Sequence, residues 1–300
     1  MSAQSAAAFE DGSESRFAAA LRQEPLYELL GLEPGAHLKA DLHAHTTVSD
    51  GSDTFVELMG KARVHGVTHL AVTNHDTTTG LSEVVRTAHA HAFKVVPGVE
   101  ISAWDPDASR RVHILGLDVS EGAPAIAELC TQTLERRTAN TVWQMKQLID
   151  AGYDVDVDKA AALAGASTGF YKQHLMAALT DAPFTSGAYQ HLYKALFKGS
   201  GICARDIAYV DMRDAVEAVL ADGGVPVLAH PGQFDNYDAV PALVDAGLAG
   251  IEKYHPDHDY ADCRLVEELA CRYGLFCTGG SDYHGRFGKV PHPGYRFIAE

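Results

Sequence analysis

The chain has 300 residues, 46% apolar and 21% charged, which is the composition of one large globular domain or of one domain carrying an insertion, without bias towards disorder. Its net charge of −16 speaks against tight binding of long duplex nucleic acid, yet allows a small phosphorylated substrate in a cleft where metals and a few basic side chains reverse the field. Five cysteines without a C-x-x-C pair argue against a disulfide framework or thiolate zinc site, and the lack of a signal-peptide pattern or a long apolar run leads us to expect a cytoplasmic protein without membrane contact.

Residues 1–37 read as an N-terminal extension, with a mobile polar start of about a dozen residues and then an amphipathic helix around 17–30. A βα rhythm follows, with strands predicted at 38–43, 67–73, 94–101 and 111–117 and helices at 53–65 and 79–92. Residues 121–199 carry helical patterns only, over 123–151, 157–163, 173–179 and 188–197. The rhythm then resumes, with helices at 211–221, 236–246 and 259–273 and strands at 225–229, 249–254 and 275–279. Seven such strands predict an α/β fold: a parallel barrel domain built from 38–120 and 200–300, with a helical insertion (cap) domain at 121–199. A doubly wound open sheet is the alternative.

The first strand ends in Asp41-Leu42-His43-Ala44-His45, so alternation sets two imidazoles side by side, and Asp50 follows in a Ser-Asp-Gly-Ser turn. The later strands end at His75 and Asp76, at Glu100, at His230, near Glu252 and His255, and at Asp282 and His284; His113 lies nearer the middle of its strand. In parallel α/β folds the C-terminal strand ends are where active sites assemble. One strand-end histidine is more often structural than a ligand, but repetition over seven strands points to a metal site. His43, His45, Asp50, His75, Glu100, His113, His230, Asp282 and His284 are the expected ligands. Imidazole and carboxylate without thiolate suit Mn²⁺, Fe²⁺ or Zn²⁺, and this many ligands implies two or three ions. Glu100 or Asp282 can bridge a pair, the arrangement used for phosphate-ester hydrolysis.

Other residues carry bland and functional readings side by side. Asp76 either orients a ligand or caps the next helix. Asp41, which alternation places on the ligand face, either supports a ligand through a hydrogen bond or binds an ion directly, the first being favoured. His255 and His258 share a loop in which one touches substrate or donates a proton, or both are merely solvated. His65, His89, His91 and His191 are assigned to surface or packing, and His69 to a core or edge role. Lys172, His174 and Arg205, with Lys198, are candidate phosphate contacts in or beside the insertion; a charged helical residue is otherwise a solvated face. Phe170, Tyr171 and Tyr254 are candidates for stacking on a base. No G-x-S-x-G pattern supports a serine nucleophile.

The ordered motifs DLHAHT, SDG, TNHD, PGVEIS, HILG, AHPG and GGSDYHG resemble those of the polymerase and histidinol phosphatase (PHP) family, over about residues 39–286 and most of all its stand-alone bacterial phosphoesterases with a helical insertion. The resemblance implies a distorted (β/α)₇ barrel with a dinuclear or trinuclear centre. It groups His43, His45, Glu100 and Asp282 around one ion, Glu100, His113 and His230 around a second, and Asp50, His75 and His284 around a third. It further implies attack on phosphorus by a metal-bound hydroxide, with nearby groups, among Asp282, His230 and His255, assisting the leaving oxygen. Similar members are nucleoside 3′,5′-bisphosphate phosphatases and enzymes that trim short RNA from the 5′ end. Two departures bear on the substrate. Asn74 stands where the family pattern T-D-H-D has Asp, and Gly169-Phe170-Tyr171-Lys172-Gln173-His174 stands where G-R-P-H is usual, so Lys172 offers a point charge in place of a bidentate fork.

The expected function is hydrolysis of phosphomonoesters of small nucleotides, a nucleoside 3′,5′-bisphosphate or a 5′-phosphorylated short oligonucleotide. The alternatives are a histidinol-phosphate-type or other small-molecule phosphatase, and a noncatalytic metal-binding module serving a partner protein.

Overall fold

A computed structural model describes residues 23–32 and 37–299. The polar start and the first part of the amphipathic helix expected over 17–30 lie outside the described residues. Helix α1, described over 23–30, packs Leu26 and Leu30 into the apolar interior that also holds Leu38, Ala40, Ala71, Val96, Leu115 and Val227.

The sheet is built from β1 (Lys39–Asp41), β2 (His69–Val72), β3 (Lys94–Asp105), β4 (Arg110–Leu117), β6 (Val225–Leu228), β7 (Gly250–Tyr254) and β8 (Phe276–Gly279). Their order is β8-β7-β6-β4-β3-β2-β1, extended by β9 (Ile298–Ala299) along β1, while the short β5 (Val210–Asp211) pairs with β3. The sheet closes into a barrel where Leu42 N–H donates to Gly279 O at 2.9 Å and Asp282 N–H to His43 O at 2.9 Å. Helices α2 (Phe55–Val64), α3 (Leu81–Ala90), α8 (Met212–Ala221), α10 (Val240–Asp245) and α11 (Tyr260–Tyr273) cover the outside, and the short α9 (Pro231–Phe234) follows β6. Thr54 and Glu57 cap α2 reciprocally, and the Asp211 and Asp259 side chains accept backbone N–H groups at the starts of α8 and α11, so these helices begin where the chain supplies a short polar side chain.

One expectation is corrected. The barrel is mixed, because β4 runs antiparallel to both of its neighbours, β3 and β6. Only residues 106–109 join β3 to β4, far too few for the crossover that parallel pairing requires. Asp105 turns the chain by accepting the N–H groups of Asp107 and Ala108 at 2.9 and 3.1 Å. This reversal explains the position of His113. The end of β4 that reaches the barrel mouth is its N-terminal half, so a mid-strand histidine lies beside the strand-end ligands.

Between β4 and β5 the chain makes α4 (Pro124–Asp150), α5 (Val157–Gly165), α6 (Lys172–Leu179) and α7 (Gly187–Phe197). Leu148, Phe170, Leu175, Met176, Tyr189 and Phe197 pack into an apolar cluster of their own. The start of α4 differs: Ile126 and Cys130 join the cluster between sheet and α8. The helical insertion is thus rooted on the barrel by its longest helix. No described helix is long and apolar enough to cross a membrane.

Candidate metal centre

Alternation along the strands sets up the site. Val96 on β3 and Leu115 on β4 point into the barrel interior, and Glu100 and His113 lie on the same strand faces nearer the mouth. Glu100 is the hub. Its Oε1 lies 2.6 Å from His113 Nδ1 and 3.0 Å from His230 Nε2. Its Oε2 lies 3.2 Å from His43 Nε2, 3.1 Å from His45 Nε2 and 3.3 Å from His75 Nδ1. One carboxylate therefore faces two sets of rings with its two oxygens.

Asp282 closes the second side. Its Oδ1 lies 3.5 Å from His43 Nε2 and 3.3 Å from His45 Nε2. Asp50 gathers the remaining rings, with His284 Nε2 at 3.3 Å, His45 Nδ1 at 3.6 Å and His75 Nε2 at 3.8 Å. Among the described residues, possible ligand atoms gather in four overlapping groups: His45, Asp50, His75 and His284; His43, His45, Glu100 and Asp282; His75, Glu100 and His113; and His43, Glu252 and His255. His230, which the resemblance sets with Glu100 and His113, touches Glu100 but joins none of these groups. Backbone strain accompanies them: Asp76, His230 and Asp282 all adopt positive φ, at 56°, 25° and 49°. Such conformations cost free energy and persist where surrounding contacts hold them.

The electrostatics tie the carboxylates to the imidazoles. Burial alone raises the Glu100 carboxyl, but the imidazoles of His75, His43 and His113 outweigh it and hold it well below the usual range. Asp282 and Asp50 are likewise depressed against their burial, each mainly by His284. Burial lowers the His284 imidazole, yet Asp50 and Asp282 overcome this and push it up to about 10. His75 goes the other way, pulled down to about 4 by burial despite Glu100 and Asp50. Among the described residues, His43 Nε2, His45 Nδ1 and Nε2, His75 Nδ1, Glu100 Oε2 and His230 Nδ1 are buried without hydrogen-bond partners. Buried polar atoms are rarely left so. A set of unpartnered imidazole nitrogens around carboxylate oxygens fits divalent cations, and the residues present suit them.

Supporting side chains fix this arrangement. Glu252, wholly buried, presents Oε1 to His43 Nδ1 at 3.3 Å and accepts the His230 backbone N–H on Oε2 at 2.8 Å. Asp41 accepts from Ser281 N–H and Oγ–H and from Gly294 N–H, and burial lifts its carboxyl to about 6. A side chain at Gly280 would overlap His43, which accounts for glycine there. Asn74 accepts from Thr46 N–H and Oγ–H and from Ser49 Oγ–H, at 2.9, 3.1 and 3.0 Å, and so pins the loop that carries Asp50.

The insertion grips the same loops. Gln173 donates to Asp50 Oδ2 at 2.7 Å, Tyr171 Oη donates to His75 O at 3.1 Å, and Arg137 donates to Asp76 Oδ2 at 2.6 Å and Ser102 Oγ at 2.8 Å. Asp76 does not cap α3, which starts from Gly80 without a side-chain cap; it binds Arg137 and the Ser102 N–H instead. Beneath the insertion lies a cavity of about 370 Å³, floored by Asp50, His75, Glu100, His113, His230, Asp282 and His284.

The expected substrate contacts divide. Lys172 lines this cavity. His174 does not; it is buried with ring contacts to Phe170, Tyr171 and Phe287. Arg205 also lies away from it, its guanidinium 4.0 Å from the Trp143 ring and donating to Asn140 at 2.6 Å. His255 is wholly buried behind Asp282, with its Nε2 3.4 Å from Asp282 Oδ2, and is not part of the cavity wall. Its Nδ1 accepts the Asp257 N–H at 3.1 Å, so the neutral ring carries its proton on Nε2. His258 bonds the Lys253 carbonyl through Nδ1 at 2.9 Å, and His65 stacks on His292 with centroids 3.6 Å apart. Arg111, Arg137 and Gln173 were not singled out from sequence; the two arginines belong to unremarkable runs, and Gln173 lies between Lys172 and His174 in the stretch that stands where G-R-P-H is usual. Glu252 was noted at its strand end but left out of the site.

Fold and site together define a metal-dependent phosphoester hydrolase. The PHP domain model matches residues 41–212, more than half of the chain, and the protein belongs to the PHP family. It is 59% identical over 259 residues to the phosphoribosyl 1,2-cyclic phosphate 1,2-diphosphodiesterase of Eggerthella lenta, a match covering 86% of this chain and 99% of that one. It is 30% identical to the 3′,5′-nucleoside bisphosphate phosphatase of Chromobacterium violaceum, over 81% of this chain and 86% of that one. A crystal structure from Bifidobacterium adolescentis, assigned as a metal-dependent phosphoesterase, superposes with a TM-score of 0.76 at 25% identity, covering 88% of this chain and 93% of that one.

Proposed function

We propose that this protein hydrolyses a phosphoester of a small ribose phosphate that bears two phosphate groups. The phosphoribosyl cyclic phosphate named for the Eggerthella relative is the first choice of substrate and a nucleoside 3′,5′-bisphosphate the second. The observation that carries the reading is Glu100, whose two oxygens face separate groups of imidazoles on the floor of a cavity walled by residues of the insertion. The identity of 59% across 99% of the diesterase supports the cyclic substrate over the nucleotide. The site would hold two or three Mn²⁺, Fe²⁺ or Zn²⁺ ions through His43, His45, Asp50, His75, Glu100, His113, His230, Asp282 and His284. We place the activity in the cytoplasm, and we treat residues 121–199 as the cap domain.

In the reaction water adds across one P–O bond. Its oxygen joins phosphorus, and the ester oxygen leaves as a hydroxyl with a proton. A cyclic diester opens to a monoester, and a monoester releases inorganic phosphate. Bound divalent ions supply Lewis-acid polarisation of the phosphoryl oxygens and a lowered pKa for water. The protein's own part is placement. Asp282 and His230 line the cavity and face the reacting group, while His255 acts through Asp282 by holding its proton on Nε2. The insertion fastens to the loops around the floor through Tyr171, Gln173 and Arg137.

A longer substrate is favoured by one further feature. A second cavity of about 530 Å³ shares Phe184, Tyr189, Phe287, Gly288 and Lys289 with the first, which would suit a 5′-phosphorylated short oligonucleotide.

The test is turnover by Mn²⁺-loaded protein, with a chelator control, of three compounds: 5-phosphoribosyl 1,2-cyclic phosphate, adenosine 3′,5′-bisphosphate and a 5′-phosphorylated trinucleotide. Fast chelator-sensitive opening of the cyclic ester supports the first choice. Phosphate release from the bisphosphate alone, or shortening of the trinucleotide, moves the assignment accordingly. No turnover of any, with metal bound, rejects the proposal.

A further inference from the structure

The active cavity has a cationic wall as well as a metal-binding floor. Arg111 of β4, Arg137 of α4 and Lys172 at the start of α6 all line it. Lys289 lines it as well, so four cations from different parts of the chain face a cavity that also holds Asp50, Glu100, Asp206 and Asp282.

Three of the four are already neutralised, Lys289 by Asp257. Arg137 is paired with the buried Asp76 at 2.6 Å. Arg111 is paired with Asp206, which also accepts from Tyr209 Oη at 2.7 Å. Lys172 is different: among the described residues it makes no hydrogen bond and no ion pair. Burial pulls its ammonium down to about 8; Asp206 opposes the fall, and the neighbouring Arg111, Lys198 and Arg137 add to it. Partly buried ammonium groups are normally paired, because desolvation without a counter-charge is costly. The neighbouring residue, Gln173, donates to Asp50 on the cavity floor, so the unpartnered cation adjoins in sequence a residue that reaches the floor.

We propose that Lys172, backed by Arg111, forms a second anion subsite that holds the distal, non-reacting phosphate monoester of the substrate and thereby selects compounds carrying two phosphates. The inference rests on the function proposed above. It adds the residues that discriminate and the group they read. The reacting phosphate belongs to the floor and the distal one to the wall, with the sugar between them. Gln173, which reaches the floor, and Lys172, which supplies the wall, are adjacent in sequence, so both orientations are fixed by one helix start.

Two measurements test this. The first is the ratio of kcat/KM for 5-phosphoribosyl 1,2-cyclic phosphate to that for the ribosyl 1,2-cyclic phosphate lacking the 5-phosphate. In Lys172→Gln the ratio should fall by about 10- to 100-fold, the size of one charge-assisted hydrogen bond, and Lys172→Arg should restore most of it. An unchanged ratio in a folded Lys172→Gln enzyme overturns the subsite. The second is calorimetric binding of ribose 5-phosphate, which needs no turnover. Weaker binding in Lys172→Gln supports the subsite even if the ester that reacts has been assigned wrongly, and equal binding overturns it whatever the turnover.

Discussion

The Arg137 guanidinium of α4 and the Asp76 carboxylate meet at 2.6 Å, with the carboxylate wholly buried and sited one residue after His75. Asp76 also accepts the Ser102 N–H at 2.7 Å, and its φ of 56° is held by these contacts. The insertion thus reaches the backbone that carries a proposed ligand. Removing the guanidinium leaves a buried carboxylate without its counter-charge. Arg137→Met should therefore lower stability by about 3–5 kcal/mol in urea unfolding. The exposed neighbour serves as control, with Arg136→Met within about 0.5 kcal/mol of the parent.

Asp282→Ala removes the carboxylate that His43, His45 and His255 all face. Turnover should fall by more than ~100-fold, beyond the usual effect of losing a group that only supports a ligand. Metal content per chain should drop while circular dichroism stays that of the parent. Full activity in this variant would remove Asp282 from the site.

Glu252 makes His43 Nδ1 a donor and so frees Nε2 to accept a cation, while its other oxygen holds the His230 backbone. Gln at 252 cannot serve both contacts as an acceptor, so divalent-metal affinity should weaken by ~10- to 100-fold. The check is competition with a chromogenic chelator. Affinity equal to the parent's would show that the carboxylate does not set the His43 tautomer.

Substrate affinity should depend on pH through Lys172. Its folded pKa is lowered to about 8, and Asp206, Arg111, Lys198, Arg137 and Cys203 are the charged or titratable groups coupled to it. Below that value the ammonium is charged and attracts a phosphate; as pH rises through about 8 the charge is lost and KM should climb. Lys172→Arg, which stays charged, should flatten the rise. A KM profile with the same inflection in that variant would assign the titration elsewhere.

Chelation should destabilise the fold, because Asp50, Glu100, Glu252 and Asp282 crowd one buried site. Adding back Mn²⁺ at a hundred times its dissociation constant should return about 2.7 kcal/mol, read as a rise in Tm. A Tm indifferent to metal would mean that the ions bind without favouring the folded state.

The strands and most helices were legible in the sequence because their apolar period is strong and polar caps such as Thr54 and Asp259 mark where helices begin. The ligand-type residues were legible because they recur at strand ends. The direction of β4 was not. Its pattern is that of any buried strand, and only the shortness of the link from Asp105 to Arg110 signals a hairpin. The sequence named Lys172 and Arg205 together as phosphate contacts, with only its motif position to favour Lys172. Both are basic residues in or beside the insertion, and their difference lies in Trp143 and Asn140, which draw Arg205 aside. Arg111 and Arg137 escaped notice because a basic residue on a strand or helix announces nothing until a cavity forms against it.

The barrel seam at Leu42–Gly279 carries a consequence for how the protein is made. The stretch from His43 to His113 emerges from the ribosome before the insertion, His230 after it, and Asp282 with His284 only when the last strand has been synthesised. An early fragment already holds Glu100 with His43, His45, His75 and His113, but it lacks His230 and the Asp282 carboxylate that faces His43 and His45 from across the seam. The residue set is therefore completed only by the last strand, and a half-made chain presents no more than part of it.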